Sequence, residues 1–178
     1  MPITIKPADT SEALQAFVSD FDNQLEYPMN LIELFENHRT EILAEAIEAL
    51  EQARLKHYQA SSVEDNNERL GDLLNLVEES IQTHNLIPVI TYAQEIARER
   101  FAGGFDIAEV LTAFNVLEEA IWHQITANLV AEEYPDAFGL SSTVFGAAKQ
   151  ALATEYVSLA SHGRVQTADL SSLFQGNY

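Results

Sequence analysis

Tyr92–Ile125, YAQEIARERFAGGFDIAEVLTAFNVLEEAIWHQI, is the stretch that decides the fold. Val89, Ala93, Ile96, Ala97 and Phe101 recur at the spacing of one helical face, which predicts a helix up to Gly103–Gly104. A glycine just past the last apolar position is a helix C-terminal cap, because it enters the left-handed region without a Cβ clash. Asp106 then caps a new helix, with Glu109 at the capping-box position. The new helix carries the best-formed stripe in the chain: Ile107, Val110, Leu111, Phe114, Leu117, Ile121, Ile125 and Leu129. Gly103, Gly104, Phe105 and Asp106 therefore form a structural hinge between two amphipathic helices. One of the two glycines should show a positive φ, and Val at either should destabilise the protein.

Upstream, residues 1–9 are Pro-flanked and read as a loose arm. Leu14, Phe17, Val18, Phe21 and Leu25 predict a helix ended by Tyr27–Pro28. Asn30 caps the next helix with Glu33 as its capping-box partner, and one stripe from Leu31 through Ala53 carries that helix to about Tyr58. Ser61–Ser62 and Asn66–Asn67 bracket a polar connection. A further helix with Leu70, Leu73, Leu74, Val77 and Ile81 stops near His84–Asn85. Pro88 fits the first turn of the helix that leads to the hinge, where its missing N–H costs nothing. Downstream, Tyr134–Pro135–Asp136 and Gly139 mark a loop, and Ser142 caps a last helix ended by Ser161–His162–Gly163.

No segment alternates as a strand does, so the fold class is all-α: an antiparallel bundle of about five to six helices. Short connections between the later helices favour antiparallel neighbours. Residues 10–163 form a single domain, and 164–178 are a tail or linker with Leu170, Leu173 and Phe174.

Composition narrows the function. The 28 acidic against 9 basic residues give a net charge of −19, which repels phosphate backbones and anionic membranes. Neither a nucleic-acid nor a membrane partner is expected. The absence of cysteine removes disulfides, thiolate metal sites and cysteine nucleophiles. The N-terminus lacks the apolar core of a signal peptide, and no apolar run approaches the ~18–20 residues of a membrane span. Cytoplasmic localisation is the default. Mean hydropathy of only −0.09 alongside 47% hydrophobic residues fits apolar stripes on a solvated protein.

Catalytic signatures are missing. No His stands three positions after a Glu, so the paired motif of helical di-iron sites is absent. Glu119 and His123, four apart, share a helix face and read as an exposed contact. Gly103–Gly104 is not followed by the Gly-Lys-Ser/Thr of a phosphate loop. Adjacent carboxylates such as Glu118–Glu119 diverge by ~100° on a helix and read as a solvated face. Neither a cofactor, a metal site nor a catalytic residue is assigned, and the chain is read as a non-enzyme.

Trp122, the only Trp, lies about 100° round from the main stripe. It either widens the core or stands at a partner interface. Arg98 and Arg100 complement the dipole at their helix end, or face an acidic partner or anionic ligand. Trp122, Arg98 and Arg100 are the candidate interface residues. His38 and His84 lie on apolar faces, as core or boundary histidines or as ligand-facing groups. A ligand pocket would be lined by His38, Phe101, Phe114 and Leu74.

Residues 97–125 resemble the N-terminal domain of RsbRD-type stress regulators, a domain also placed at the front of some bacterial histidine kinases. The resemblance rests on the Ala-Arg-Glu-Arg helix end, the Gly-Gly-Phe turn, the acidic cap and the long helix ending in Ile-Trp. Leu31–Leu34 and Arg39–Leu43 are similar to the family's first long helix, so the resemblance spans about residues 30–160. Two departures stand out: no Trp occurs between Ala44 and Ala49, and at most fifteen residues follow Gly163, which leaves no output domain in cis. The protein is then a free-standing version or a piece of a longer one. The resemblance implies a helical, homodimeric, non-catalytic signalling module that meets a STAS protein or a kinase. The alternative is a globin-like helical sensor for a small apolar or tetrapyrrole ligand.

Overall fold

A computed structural model describes residues 29–167, with side chains up to Ser161. The predicted arm, the helix of Leu14–Leu25 and the tail beyond Thr167 lie outside the described residues. Six α-helices carry the described chain: α1 (Leu31–Gln52), α2 (Lys56–Ala60), α3 (Val63–Thr83), α4 (Ile87–Ala102), α5 (Ile107–Asn128) and α6 (Tyr134–Thr167), with a 3₁₀ turn at Ala131–Glu133. No strand occurs among the described residues, and the fold is an all-α bundle.

Local chemistry accounts for most helix ends. Asn30 accepts from the N–H groups of Ile32 and Glu33 while the Glu33 carboxylate reaches back to the Asn30 N–H, a full capping box. Ser62 caps α3 through the Asp65 N–H. His84 ends α3 in the left-handed region (φ 53°), and Pro88 sits in the first turn of α4.

Three predicted boundaries change. The single helix expected from Leu31 through Tyr58 is two helices: α1 stops at Gln52, Arg54 turns left-handed (φ 52°), and α2 restarts at Lys56. The polar connection expected through Asn67 is shorter, because α3 already begins at Val63 and takes Asn66 and Asn67 into its first turns. The loop expected at Tyr134–Gly139 is the start of α6, which also runs past Ser161–Gly163 to Thr167. Pro135 needs no N–H partner in a first turn. A Cβ at Gly139 would meet nothing within 4 Å, so no close approach demands that glycine.

The core runs through all the long helices. Phe35, Ile42, Leu74, Leu117, Phe145 and Leu152 are among its fully buried side chains. Each such burial contributes about 1.5–3 kcal/mol. The closest packing is between α4 and α6 and between α1 and α5, pairs distant in sequence. α4 and α5 are joined by four residues yet pack far less on each other than α4 does on α6 or α5 on α1. The short connection there produces a corner, not the antiparallel hairpin that its length suggests. α1 is kinked at His38, whose backbone leaves helical geometry (φ −119°, ψ 19°). The next residue, Arg39, donates to the Gly71 carbonyl of α3 (3.2 Å). Arg98 of α4 pairs with Glu155 of α6 (2.8 Å), and Lys149 of α6 pairs with Glu118 of α5. No helix of the described residues is long and apolar enough to cross a membrane.

Candidate functional site: the corner between α4 and α5

The α4 end is a complete Schellman motif. Gly104 has φ +77°; its N–H donates to Phe101 O (3.1 Å), and the Phe105 N–H donates to Arg100 O (3.0 Å). This pattern brings residue 105 back over residue 100. In most such motifs that contact is apolar. Here the Arg100 guanidinium stands 4.7 Å from the centre of the Phe105 ring, a cation–π contact.

Phe105 also collects residues from α2. The His57 ring stacks on it at 4.4 Å, and Tyr58 meets it edge-on at 5.7 Å. Asp106 caps α5 through the Ala108 N–H (2.8 Å), and Glu109 closes the capping box by accepting from the Asp106 N–H (3.2 Å). The same Glu109 carboxylate accepts from the His57 N–H (3.2 Å) and bonds His57 Nδ1 (2.6 Å). Burial works against the Glu109 charge, but the hydrogen bonds from His57 and Asp106 outweigh it and hold the carboxyl below its usual range. One carboxylate thus caps α5 and anchors α2.

Arg100 points the corner inward. It is 4% exposed, its charge partner Glu99 lies 3.6 Å away on the solvent side, and its Nε has no partner among the described residues. Tyr58, Tyr92 and Tyr156 surround this region electrostatically. Burial raises all three phenols, Tyr92 and Tyr156 to about 12, while Arg100 partly opposes the rise. At neutral pH they are therefore uncharged hydrogen-bonding groups.

The predicted residues scatter over the fold. Gly103, Gly104, Phe105 and Asp106 do form the corner. Arg98 is exposed and pairs with Glu155. Arg100, a candidate interface residue, is instead buried, because the Schellman turn folds Phe105 over it. Trp122 is 38% exposed and stands edge-on to Phe138, which meets Tyr134 in turn. The four candidate pocket residues are not brought together at the small cavity beside the corner. Phe114 lines this cavity of about 30 Å³, but His38, Leu74 and Phe101 do not line it. Phe101, next to the last residue of α4, is half-exposed and stands edge-on to Tyr156. His84 is exposed at the α3 end instead of lying on an apolar face. His123 bonds Glu45 of α1, not its helix neighbour Glu119. His57 and Tyr58 join the corner without having been expected from the sequence. No local signal marks them, since Glu109 lies 52 residues away. Among the described residues no group of three or more His, Asp or Glu is placed to hold a metal ion.

The family model described as "RsbT co-antagonist protein rsbRD N-terminal domain" matches residues 33–164, from the first turn of α1 almost to the end of α6. The chain belongs to this family. Its members are stress-signalling regulatory N-terminal domains. No curated protein and no solved structure matches the chain. Within this rsbRD-type domain the match covers every element of the corner: α2, the end of α4, the Gly103–Asp106 turn and the start of α5.

Proposed function

We propose that this domain is a non-catalytic, cytoplasmic input module of bacterial stress signalling that acts through protein–protein contacts, one of them with a second copy of itself. The observation that carries the reading is membership of the family over residues 33–164. The family's description names a co-antagonist, a role exercised by contact with another protein. A surface suited to such contact lies at the junction of α5 and α6, where Trp122, Phe138 and Tyr134 form a partly exposed aromatic row. Rigid aromatics of this kind supply binding energy with little loss of conformational freedom. The partner class is a STAS protein or a kinase of the same signalling system.

Light scattering tests the self-contact, and affinity capture with purified STAS and kinase candidates tests the partner. A dimer that Trp122→Ala weakens, or capture that the same substitution reduces, supports the reading. A strict monomer that captures none of these candidates overturns it.

A further inference from the structure

Two of the chain's nine basic residues line one small cavity of the bundle, and among the described residues no carboxylate lines it. In a chain with a net charge of −19 that is a local reversal of sign. The cavity holds about 30 Å³; Arg69, Arg100, Asn66, Tyr58 and Tyr92 form its polar side, and Phe114 stands among the apolar residues opposite. Two of these groups keep unused hydrogen-bonding capacity. Arg100 is 4% exposed and Asn66 is 6% exposed, yet Arg100 Nε and Asn66 Oδ1 have no partner among the described residues. Buried polar atoms in native folds are nearly always paired, by protein or by something bound. Glu99, the charge nearest Arg100, does not line the cavity.

We propose that this cavity binds a small oxyanion that also carries a hydroxyl donor, with bicarbonate as the simplest match. The guanidinium requires acceptor oxygens, and planar oxyanions present them to an arginine fork. The free Asn66 Oδ1 requires a donor, which a bare carboxylate or a halide lacks. Size sets the upper limit: the volume holds about two or three water-sized groups, too few for an aromatic or tetrapyrrole ligand. A wider depression of about 330 Å³, lined by Leu50, Glu51 and Gln59 among others, adjoins the cavity and shares Tyr58 and Asn66 with it. The overall negative field opposes entry of an anion, so the affinity is modest. Residues of α2, α3, α4 and α5 meet at this cavity, so an occupant braces the corner. The inference needs only the cavity and is independent of the partner reading.

The test is carbon-13 NMR of labelled bicarbonate with the full chain, at fixed pH and ionic strength, with labelled formate observed in parallel. Saturable broadening of the bicarbonate line is expected, displaced by unlabelled bicarbonate and not by chloride. Arg100→Gln should weaken it about tenfold or more, since a charge-assisted bond is lost. Asn66→Leu removes the acceptor and should bring bicarbonate down to the weaker level of formate. Absence of a saturable signal, which means that water alone fills the cavity, overturns the proposal. Equal affinity for formate in the unaltered protein does so too, as does binding that neither substitution changes. Circular dichroism checks the fold of each variant, and if Arg100→Gln unfolds, Asn66→Leu and the competition in the unaltered protein still decide.

Discussion

Among the described residues three helix ends turn through the left-handed region, at Arg54, His84 and Gly104, and the corners at Arg54 and Gly104 are built in opposite ways. At Gly103–Asp106 the turn residue is a glycine at φ +77°, the preceding helix ends in a full Schellman motif, and the following helix has a capping box. At Ala53–Leu55 the turn residue is Arg54 at φ 52°, and the residue before α2, Leu55, makes no side-chain cap. The first corner is self-sufficient in local chemistry. The second takes support from the first: the His57 N–H and ring bond Glu109, the His57 ring stacks on Phe105, and Tyr58 is buried beside it. A turn with poor local chemistry persists because a distant, locally well-specified turn holds it.

Breaking the shared element should break both corners. Glu109→Ala removes the α5 capping partner and the anchor of α2, and is expected to cost about 2–3 kcal/mol. Urea denaturation measures the loss, and hydrogen exchange should quicken in α2 as well as at the start of α5. An α2 unchanged in exchange would show that the second corner stands alone. Next in size is Gly104→Val, which forces a β-branched residue into the left-handed region at about 1–2 kcal/mol. Gly103→Val should destabilise by another route, since its Cβ would lie 3.3 Å from the Phe105 ring. A thermal midpoint unchanged by both substitutions would contradict the corner as described.

The contrast also predicts a gain. Arg54→Gly relieves the left-handed strain at the weaker corner and should stabilise by about 0.5–1 kcal/mol. The thermal midpoint should rise. The same logic applied to the glycine corner offers no such gain.

The smallest expected effect is on pH dependence, and it separates the corner from the α1–α5 contact. Glu109 has its pKa lowered in the fold, so its contribution is present above the unfolded value and is lost as pH falls through the folded one. His123 has its pKa raised, chiefly by its hydrogen bond to Glu45 and further by Glu119. Its contribution is full below the unfolded value and fades as pH rises through the folded one. Glu109→Gln should flatten the acid limb of a stability–pH curve, and His123→Gln the limb above the usual histidine range. Curves that keep both limbs in both variants would remove these two groups as their source.

Much of the fold was legible. The caps at Asn30 and Asp106, the Pro88 start, the glycine end of α4 and the stripes of α3, α4 and α5 stand where periodicity and capping chemistry put them. Errors arose where a residue's local meaning is conditional. Pro135 and Gly139 punctuate a chain in one context and sit inside a helix in another. The Ala-rich run into Ala53 offered no stop signal, and α1 ends there with a left-handed arginine. Arg100 reads as a surface cation by type, and only the return of Phe105 over it places it inside.

The sequence by itself determined the helices, most of their ends and the turn between α4 and α5, because each depends on bonds between residues at most five apart. It also determined the family, since the matched pattern is largely that of those local features. The tertiary structure alone decided that α1 packs on α5 and α4 on α6, and that one carboxylate serves two helices. It alone brought two arginines to one cavity with no carboxylate among its described lining residues. These outcomes depend on contacts between residues far apart in the chain, whose geometry is set by the packing of the whole core rather than by any short run of residues.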